Sequence, residues 1–212
     1  MSKRVVPIYL ASQSPRRKEL LAGVGLNFSV YVPSEPELPA PSKKGKNSPA
    51  KIVKKIAAAK ANNAAHELLA KNISEAIILS ADTLVFLGND VLSKPVDIAD
   101  AKRILRKLSG KTHTVATAVQ LLLVSQGKII REAQRVVQTK VKFHPISAKD
   151  LEWYINTKEP FDKAGAYGAQ LFGAAFIEKF SGSYTNVVGL PVAETLQLIA
   201  KLTREPWQNW TK

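Results

Sequence analysis

The chain has 212 residues, of which 45% are hydrophobic and 23% are charged, a composition that predicts one globular domain over residues 1–212 rather than a disordered chain. The absence of cysteine excludes disulfide frameworks, thiolate metal sites and cysteine nucleophiles. Because no apolar run approaches the ~20 residues that span a bilayer, we expect a cytoplasmic protein with no membrane partner.

The net charge is strongly positive, at +14, from 31 Lys and Arg against 17 Asp and Glu. The excess lies in two regions: residues 40–71 hold eight lysines and one acid, and residues 101–142 hold ten basic residues and one acid. Such a balance favours a polyanionic partner, for example a nucleotide or a nucleic acid. Blocks of lysine also occur on solvated surfaces, so charge alone leaves both interpretations open.

The first half of the chain contains a strand, a tight turn and a helix in close succession. Residues 8–12 form the apolar strand, Ser14 is a candidate N-cap with Pro15 at the first helical position, and Gly23 or Gly25 ends the helix. A second strand is predicted over residues 27–32, and a proline-rich loop over residues 33–49. An Ala- and Lys-rich helix then covers residues 49–70.

The second half alternates strands, hairpins and helices. A buried strand over residues 77–80 is predicted to end at Asp82 and Thr83, and a short hairpin follows. Further elements are a helix over 99–108, a long hairpin of 112–124 and 129–143, a helix from Ser147 to Ile155, a glycine-rich loop through Gly165 and Gly168, a strand over 174–180 and a final helix over 191–202. The order predicts an α/β fold with an elongated mixed sheet flanked by helices.

The segment LASQSPRRKELL, residues 10–21, combines hydroxyls, a helix start and two guanidinium groups. Ser12, Ser14, Arg16 and Arg17 could together bind an anion such as a polyphosphate. Two alternatives stay open at this point: Ser14 and Pro15 could be ordinary capping residues, and SPRR is similar to short basic segments that lie along nucleic-acid grooves. Farther along the chain, Gly110-Lys111-Thr112 is not part of a P-loop, because Leu105 occupies the position of the required first glycine.

Acidic residues are few, and four of them are candidates for a metal or water-orienting site. Glu35 and Glu37 lie on the proline-rich loop, Asp82 follows the buried strand, and Asp162 lies in EPFDKAGAY. If these carboxylates converge, they could hold Mg²⁺ or Mn²⁺. Taken singly, an acidic residue at such a position is more often a turn residue or a solvated side chain.

Three long motifs, in order, resemble one known family. They are LASQSPRRKELL, then ADTLV followed by LSKP and AKRILRKLSGKTHTV, then EPFDKAGAYGAQ followed by GSYTNVVGLP. Along nearly the whole chain they are similar to the Maf (septum-formation-inhibitor-like) family of nucleoside triphosphate pyrophosphatases. The resemblance implies hydrolysis between the α- and β-phosphates with a divalent metal, a cleft between two lobes, a nucleoside triphosphate partner and a candidate homodimer.

The resemblance also implies roles for particular residues. Asp82 corresponds to the acid that accepts the proton, and Glu37 to a second acid in the cleft, with Glu35 as its alternative if the loop shifts register. Glu37 and Asp82 are the implied metal ligands, and Lys60 and Lys94 are the implied lysines of the catalytic site. The phosphate-facing turn corresponds to Ser12, Arg16 and Arg17, and the third motif adds Asp162 and Lys163 as substrate-binding residues.

The resemblance is closest to the subfamily that acts on pyrimidine nucleotides. That subfamily carries an Arg, a Thr and a Gln at positions that match Arg17, Thr83 and Gln170, which implies dTTP and UTP as substrates. A different interpretation is a nucleic-acid-binding regulator that senses nucleotides without hydrolysing them. Because such a binder needs no acid in its groove, Asp82 favours the enzyme, and we do not expect nucleic acid as a partner.

Overall fold

The computed structural model describes residues 5–34 and 48–211. The strands in these residues are β1 (Ile8–Leu10), β2 (Ser29–Val30), β3 (Ala76–Leu87), β4 (Asp90–Leu92), β5 (Thr112–Ser125), β6 (Lys128–Phe143) and β7 (Ile177–Ser181). The α-helices are α1 (Pro15–Gly23), α2 (Pro49–Ala70), α3 (Ile98–Leu108), α4 (Ala148–Asn156), α5 (Tyr184–Val188) and α6 (Val192–Thr203). None of the helices in this part of the chain combines the length and apolar character that crossing a bilayer requires.

The strands form one mixed sheet in the order β2-β1-β3-β5-β6-β7, with β4 paired to β3. Strand β1 runs parallel to β2 and β3, whereas β3, β4, β5, β6 and β7 form antiparallel pairs. The sheet is mixed because the early strands are joined through helices, while β5 and β6 are joined by a tight hairpin. The predicted α/β class with a mixed sheet and flanking helices is confirmed.

The prediction that the strand before Asp82 ends there is wrong. Strand β3 has 12 residues and continues through Asp82 and Thr83 to Leu87. It pairs with β5 without interruption, from Ala76 opposite Val124 to Phe86 opposite Thr114. Because the ladder supplies backbone hydrogen bonds along this length, polar side chains in the middle do not end the strand.

Other boundaries differ at points where local contacts override the sequence pattern. The strand predicted from residue 174 begins at Ile177, because a 3₁₀ helix occupies Phe172–Phe176. Helix α5 was not anticipated, and it begins where the Ser183 side chain accepts a hydrogen bond from the Asn186 amide. The predicted second strand is only two residues long. Ser14 occupies the N-cap position of α1, but its side chain caps no described amide.

Each face of β3 carries two apolar clusters with polar residues between them. Successive side chains alternate between faces, so Ala81 and Val85 lie on one face, in different clusters, with Thr83 between them. On the other face Ile78 and Leu84 also belong to different clusters, separated by Ser80 and Asp82. The polar middle of β3 therefore divides the core in two at the level of Asp82 and Thr83.

At this same level the edge of the sheet has a gap. Strand β1 pairs with β3 only at residues 77–79, and β4 pairs with it only at residues 85–87. On that side, no described strand pairs with residues 80–84 of β3. Side chains from both faces of the sheet, Asp82 from one and Thr83 from the other, can therefore reach the same opening.

Candidate active site

A cleft of about 290 Å³ opens at the gap in the sheet. Eleven of the candidate site residues singled out from the sequence line it, from segments far apart in the chain: Ser12, Ser14, Arg16, Arg17, Lys60, Asp82, Thr83, Lys94, Asp162, Lys163 and Gln170. The two glutamates, Glu35 and Glu37, lie outside the described residues. The fold thus brings the three sequence motifs to one place.

The cleft is electropositive. Five of its lining side chains are basic, and two, Asp82 and Asp162, are acidic. An excess of three positive charges in a concave site raises the local concentration of anions. This charge pattern suits a polyphosphate better than a cation or a neutral ligand.

Asp82 forms an ion pair with a lysine of helix α2. Lys60 Nζ lies 2.7 Å from Asp82 Oδ1, and the two side chains are only 11% and 14% exposed. Lys60 reaches the sheet because α2 packs over the face of β3 that carries Asp82. The second carboxylate oxygen, Oδ2, forms no hydrogen bond with the described residues, so it is available to water, a cation or a ligand in the cleft.

Arg17 is buried, and its guanidinium is held by the protein on three sides. Nε donates to Gly189 O at 2.8 Å, Nη1 to Ser12 Oγ at 3.1 Å and Nη2 to Thr83 Oγ1 at 3.2 Å. These bonds join the turn after β1, strand β3 and the segment after α5. Arg17 and Thr83, two members of the implied pyrimidine triplet, are therefore in direct contact.

Thr83 belongs to a second polar network that crosses the sheet. Its hydroxyl lies 2.9 Å from the Thr117 hydroxyl, which donates to Asn186 O at 3.0 Å. Asn186 is fully buried and donates through Nδ2 to Val115 O at 3.1 Å and to Thr139 Oγ1 at 2.9 Å. No sequence motif predicts this network, because threonine is common in strands and so gives no signal of its own.

Asp162 bridges two cations at the cleft. Its oxygens lie 3.1 Å from Arg16 Nη1 and 2.6 Å from Lys163 Nζ. Partial burial by itself raises the pKa of Asp162, but the hydrogen bonds from Lys163 and Arg16 outweigh that effect and hold the pKa below its ordinary value. Asp162 therefore carries a negative charge that fixes both cations beside the cleft.

The last two predicted residues, Lys94 and Gln170, reach the cleft from exposed positions. Lys94 follows β4, and Gln170 lies in the glycine-rich loop. Neither side chain forms a hydrogen bond with another residue of the described chain. Both therefore have polar groups available to a ligand.

Two buried groups behind the glycine-rich loop were also missed. His113 Nε2 lies 2.7 Å from the hydroxyl of Tyr167, a residue that lines the cleft, and burial lowers the pKa of His113 to about 4. Glu159 is 8% exposed and accepts hydrogen bonds from Tyr154 and from backbone amides. The sequence signal for Glu159 is its place in EPFDKAGAY, the motif that also contains Asp162.

The described residues contain no group of three His, Asp or Glu side chains that could hold a metal ion. The fit to a divalent cation therefore rests on Asp82, which lines the cleft and whose Oδ2 has no hydrogen-bond partner among the described residues. Mg²⁺ is commonly bound by one or two carboxylates together with substrate phosphates. One carboxylate in a cleft with an excess of basic residues is compatible with that mode of binding.

Comparison with known proteins shows which family the chain is similar to. Residues 7–202 match the family described as Maf-like protein. The chain is 45% identical to a "dTTP/UTP pyrophosphatase" of Shewanella sp. (strain MR-7), over 92% of this chain and 97% of that protein. It is 41% identical to proteins of the same name from Symbiobacterium thermophilum, over 92% and 93% of the two chains, and from Anaeromyxobacter dehalogenans, over 99% and 100%. At this identity and coverage, the chain belongs to the Maf family.

Proposed function

We propose that this protein is a nucleoside triphosphate pyrophosphatase that hydrolyses dTTP and UTP to the monophosphate and pyrophosphate. The observation that carries the proposal is the cleft itself, in which four further basic residues line the same opening as the Asp82–Lys60 pair. The names of relatives that are 41–45% identical over nearly the whole chain support the same activity.

The cations of the cleft are suited to binding a triphosphate and stabilising its leaving group. Arg16, Lys94 and Lys163 line the opening. Hydrolysis at the α-phosphorus breaks the bond to the bridging oxygen and leaves two linked phosphates with extra negative charge. Positive groups already in place stabilise that charge without reorganising. Pyrophosphate should therefore leave as one unit.

Asp82 is the proposed acceptor of the water proton. The attacking water forms a bond to the α-phosphorus as its proton passes to Asp82 Oδ2. Lys60, at 2.7 Å from Oδ1, holds that oxygen and leaves Oδ2 without a hydrogen bond to the described residues. An ordinary aspartate, with a pKa near ~3.9, is a weak base, so the water must itself be acidified for efficient transfer.

A divalent cation is the proposed source of that acidification. A bound Mg²⁺ or Mn²⁺ lowers the pKa of a coordinated water and neutralises phosphate charge. Among the described residues Asp82 would hold it, and Glu37 is a second proposed ligand on the strength of the family resemblance alone. The expected dependence on metal is tested by assaying with Mg²⁺, Mn²⁺ or EDTA.

Selection of the base is proposed to rest on Thr83 and Gln170. Thr83 is held by Arg17 at 3.2 Å, and the Gln170 amide offers both a donor and an acceptor, which can pair with the O4/N3 edge of uracil or thymine. A base with the wrong edge would leave polar groups unpaired, at roughly 1–3 kcal/mol each, or about tenfold to a hundredfold in kcat/KM.

The test of the proposal is an assay of the purified protein against dTTP, UTP, ATP and GTP with Mg²⁺ or Mn²⁺. We expect dTTP and UTP to have the higher kcat/KM, and chromatography to show monophosphate and intact pyrophosphate as first products. Initial release of diphosphate and single phosphate would contradict the reaction class. Equal kcat/KM for purine nucleotides would contradict only the pyrimidine preference.

Two finer expectations complete the proposal. A cytoplasmic location is supported by the absence of cysteine, which fits a reducing compartment. Assembly as a homodimer stays a prediction, which sedimentation of the purified protein tests directly.

A further inference from the structure

Behind the glycine-rich loop, Glu159 and Tyr154 form a buried polar pair. Tyr154 is fully buried, and its hydroxyl donates to Glu159 Oε1 at 3.1 Å. Glu159 also accepts from the amide of Phe172 through Oε2 at 2.9 Å and from the amide of Gly173 through Oε1 at 3.4 Å. The Gly168 amide donates to the Tyr154 oxygen at 3.1 Å.

The direction of every hydrogen bond in this group follows from its chemistry. A backbone amide can only donate, so the Tyr154 oxygen accepts from Gly168 and its proton points to Glu159. Burial, opposed by the Gly168 amide and reinforced by the nearby Glu159 charge, raises the pKa of Tyr154 above its ordinary value, so the phenol keeps that proton. Both oxygens of Glu159 therefore face donors, which a glutamine amide group cannot satisfy.

The Glu159–Tyr154 pair forms hydrogen bonds with both ends of the segment that carries Gln170. The anchored amides belong to Gly168 on one side and to Phe172 and Gly173 on the other. Between them, Ala169 and Gln170 line the cleft. A segment fixed at two points has fewer conformations, so the Gln170 side chain starts from a defined position.

Gly168 and Gly173 pack so closely against Glu159 and Tyr154 that neither position has room for a side chain. A Cβ atom at Gly168 would lie 2.4 Å from Glu159 Oε1, and one at Gly173 would lie 2.7 Å from the Tyr154 hydroxyl. Both distances are well below ordinary contact, so the loop backbone lies directly against the pair. The two glycines of AYGAQLFGA thus allow the backbone to lie against the Glu159 carboxylate and the Tyr154 phenol.

We propose that Glu159, acting with Tyr154, is a positioning residue for base selection: it holds the Gly168–Gly173 segment so that Gln170 meets the base edge. The proposal rests on the proposed function. Glu159 touches neither phosphate nor water in this scheme, and it acts only through the loop. Its loss should therefore change which nucleotide is preferred more than it changes turnover of a poor substrate.

The experiment compares Glu159→Gln with Tyr154→Phe and with a matched control. Glu159→Gln keeps the size of the side chain, but its amide NH₂ group is a donor and would face one of the donors that now bind the carboxylate. Tyr154→Phe removes only the hydroxyl and keeps the apolar packing, so it serves if the first variant folds poorly. The control is Glu152→Gln, which removes a carboxylate that is 54% exposed on the same helix as Tyr154 and paired to Lys102.

The main readout is the ratio of kcat/KM for dTTP to that for ATP. We expect Glu159→Gln and Tyr154→Phe to lower this ratio by about tenfold, as loss of one buried hydrogen-bond partner would, and Glu152→Gln to leave it unchanged. In a Gln170→Ala background, Glu159→Gln should lower the ratio no further. An equal loss for both nucleotides, or additive effects in the double variant, would overturn the proposal.

A second readout separates this proposal from the proposed function. Hydrogen exchange at the amides of Phe172 and Gly173 should be faster in Glu159→Gln than in wild type, whereas in Glu152→Gln it should not change. If the wild type turns over neither dTTP nor ATP, the proposed function fails, and the ratio is taken instead from their binding affinities. Unchanged exchange together with an unchanged binding ratio would then refute the positioning role.

Discussion

Replacing Asp82 by Asn is the most direct test of the proposed chemistry. Asn has almost the same shape, and the backbone of residue 82 is held in the β3–β5 ladder opposite Ala118. The variant should therefore keep the fold. It loses the negative charge that accepts a proton or holds a cation, while the amide nitrogen is a donor where an acceptor is needed.

The expected loss of turnover follows from the role assigned to Asp82. Removing a general base commonly lowers kcat by about 10²–10⁴-fold. The two side chains of the Asp82–Lys60 ion pair are only 11% and 14% exposed, so the contribution of the pair to stability is intermediate between that of a surface pair and that of a fully buried pair. We expect its loss to lower the free energy of unfolding by about 1–3 kcal/mol. For a chain of this size that is a fall in Tm of roughly 2–10 °C.

The assay measures pyrophosphate release from dTTP at saturating metal, with the Tm recorded in the same buffer. The matched control is Asp90→Asn, which removes a different Asp–Lys pair, to Lys107 on α3, with side chains 26% and 33% exposed. It should lose some stability and keep kcat. A folded Asp82→Asn protein whose kcat stays within a few-fold of wild type would show that Asp82 is not the central acid.

Three further predictions concern selectivity and stability. Gln170→Glu should reduce the preference for dTTP and UTP over ATP, because a carboxylate cannot donate to the O4 of the base; a panel of kcat/KM values checks this. Burial holds the pKa of His113 at about 4, below its ordinary 6.5, so the unfolded chain binds a proton that the folded chain does not, and the free energy of unfolding should fall by about 3 kcal/mol as pH drops from 6.5 to 4. Urea unfolding at several pH values should show this slope in wild type and a shallower one in His113→Gln. Gly165→Ala should lower the free energy of unfolding by about 1–3 kcal/mol, because φ is +74° there and a Cβ would lie 2.9 Å from the Val85 side chain; a Tm equal to that of wild type would contradict this reasoning.

Much of the site could be predicted from the sequence because its parts lie in short, chemically distinctive segments. Ser12, Arg16 and Arg17 come together at a helix start, and Asp82 stands out as an acid after an apolar run. These signals are local: residue type and spacing along one segment are enough to suggest an anion or an acid site. The mixed sheet was also predictable, because the long hairpin and the strand–helix alternation each leave a pattern in the sequence.

Other features depended on pairing between distant segments. The apolar run before Asp82 predicts that Asp82 and Thr83 follow the end of a strand, yet they lie inside β3 because β5 pairs with it from Ala76 to Phe86. The resemblance implies that Arg17 faces phosphate, and the structure adds that its guanidinium donates to Thr83 and to Gly189 O. Whether Arg17 also contacts a phosphate stays a prediction. Which partner a polar group finds is decided by the segments packed against it, and spacing along the chain does not show them.

The sequence by itself therefore determined the chemistry available to this protein, which is a set of cations, a few acids and the helices and strands that carry them. Only the tertiary structure decided where that chemistry is concentrated. The gap between β1 and β4 at the edge of β3 opens both faces of the sheet to one cleft, and Glu159 fixes the loop beside it. Both arise from contacts between residues far apart in the chain, because a strand's register and a buried carboxylate's partners are set by whatever packs beside them.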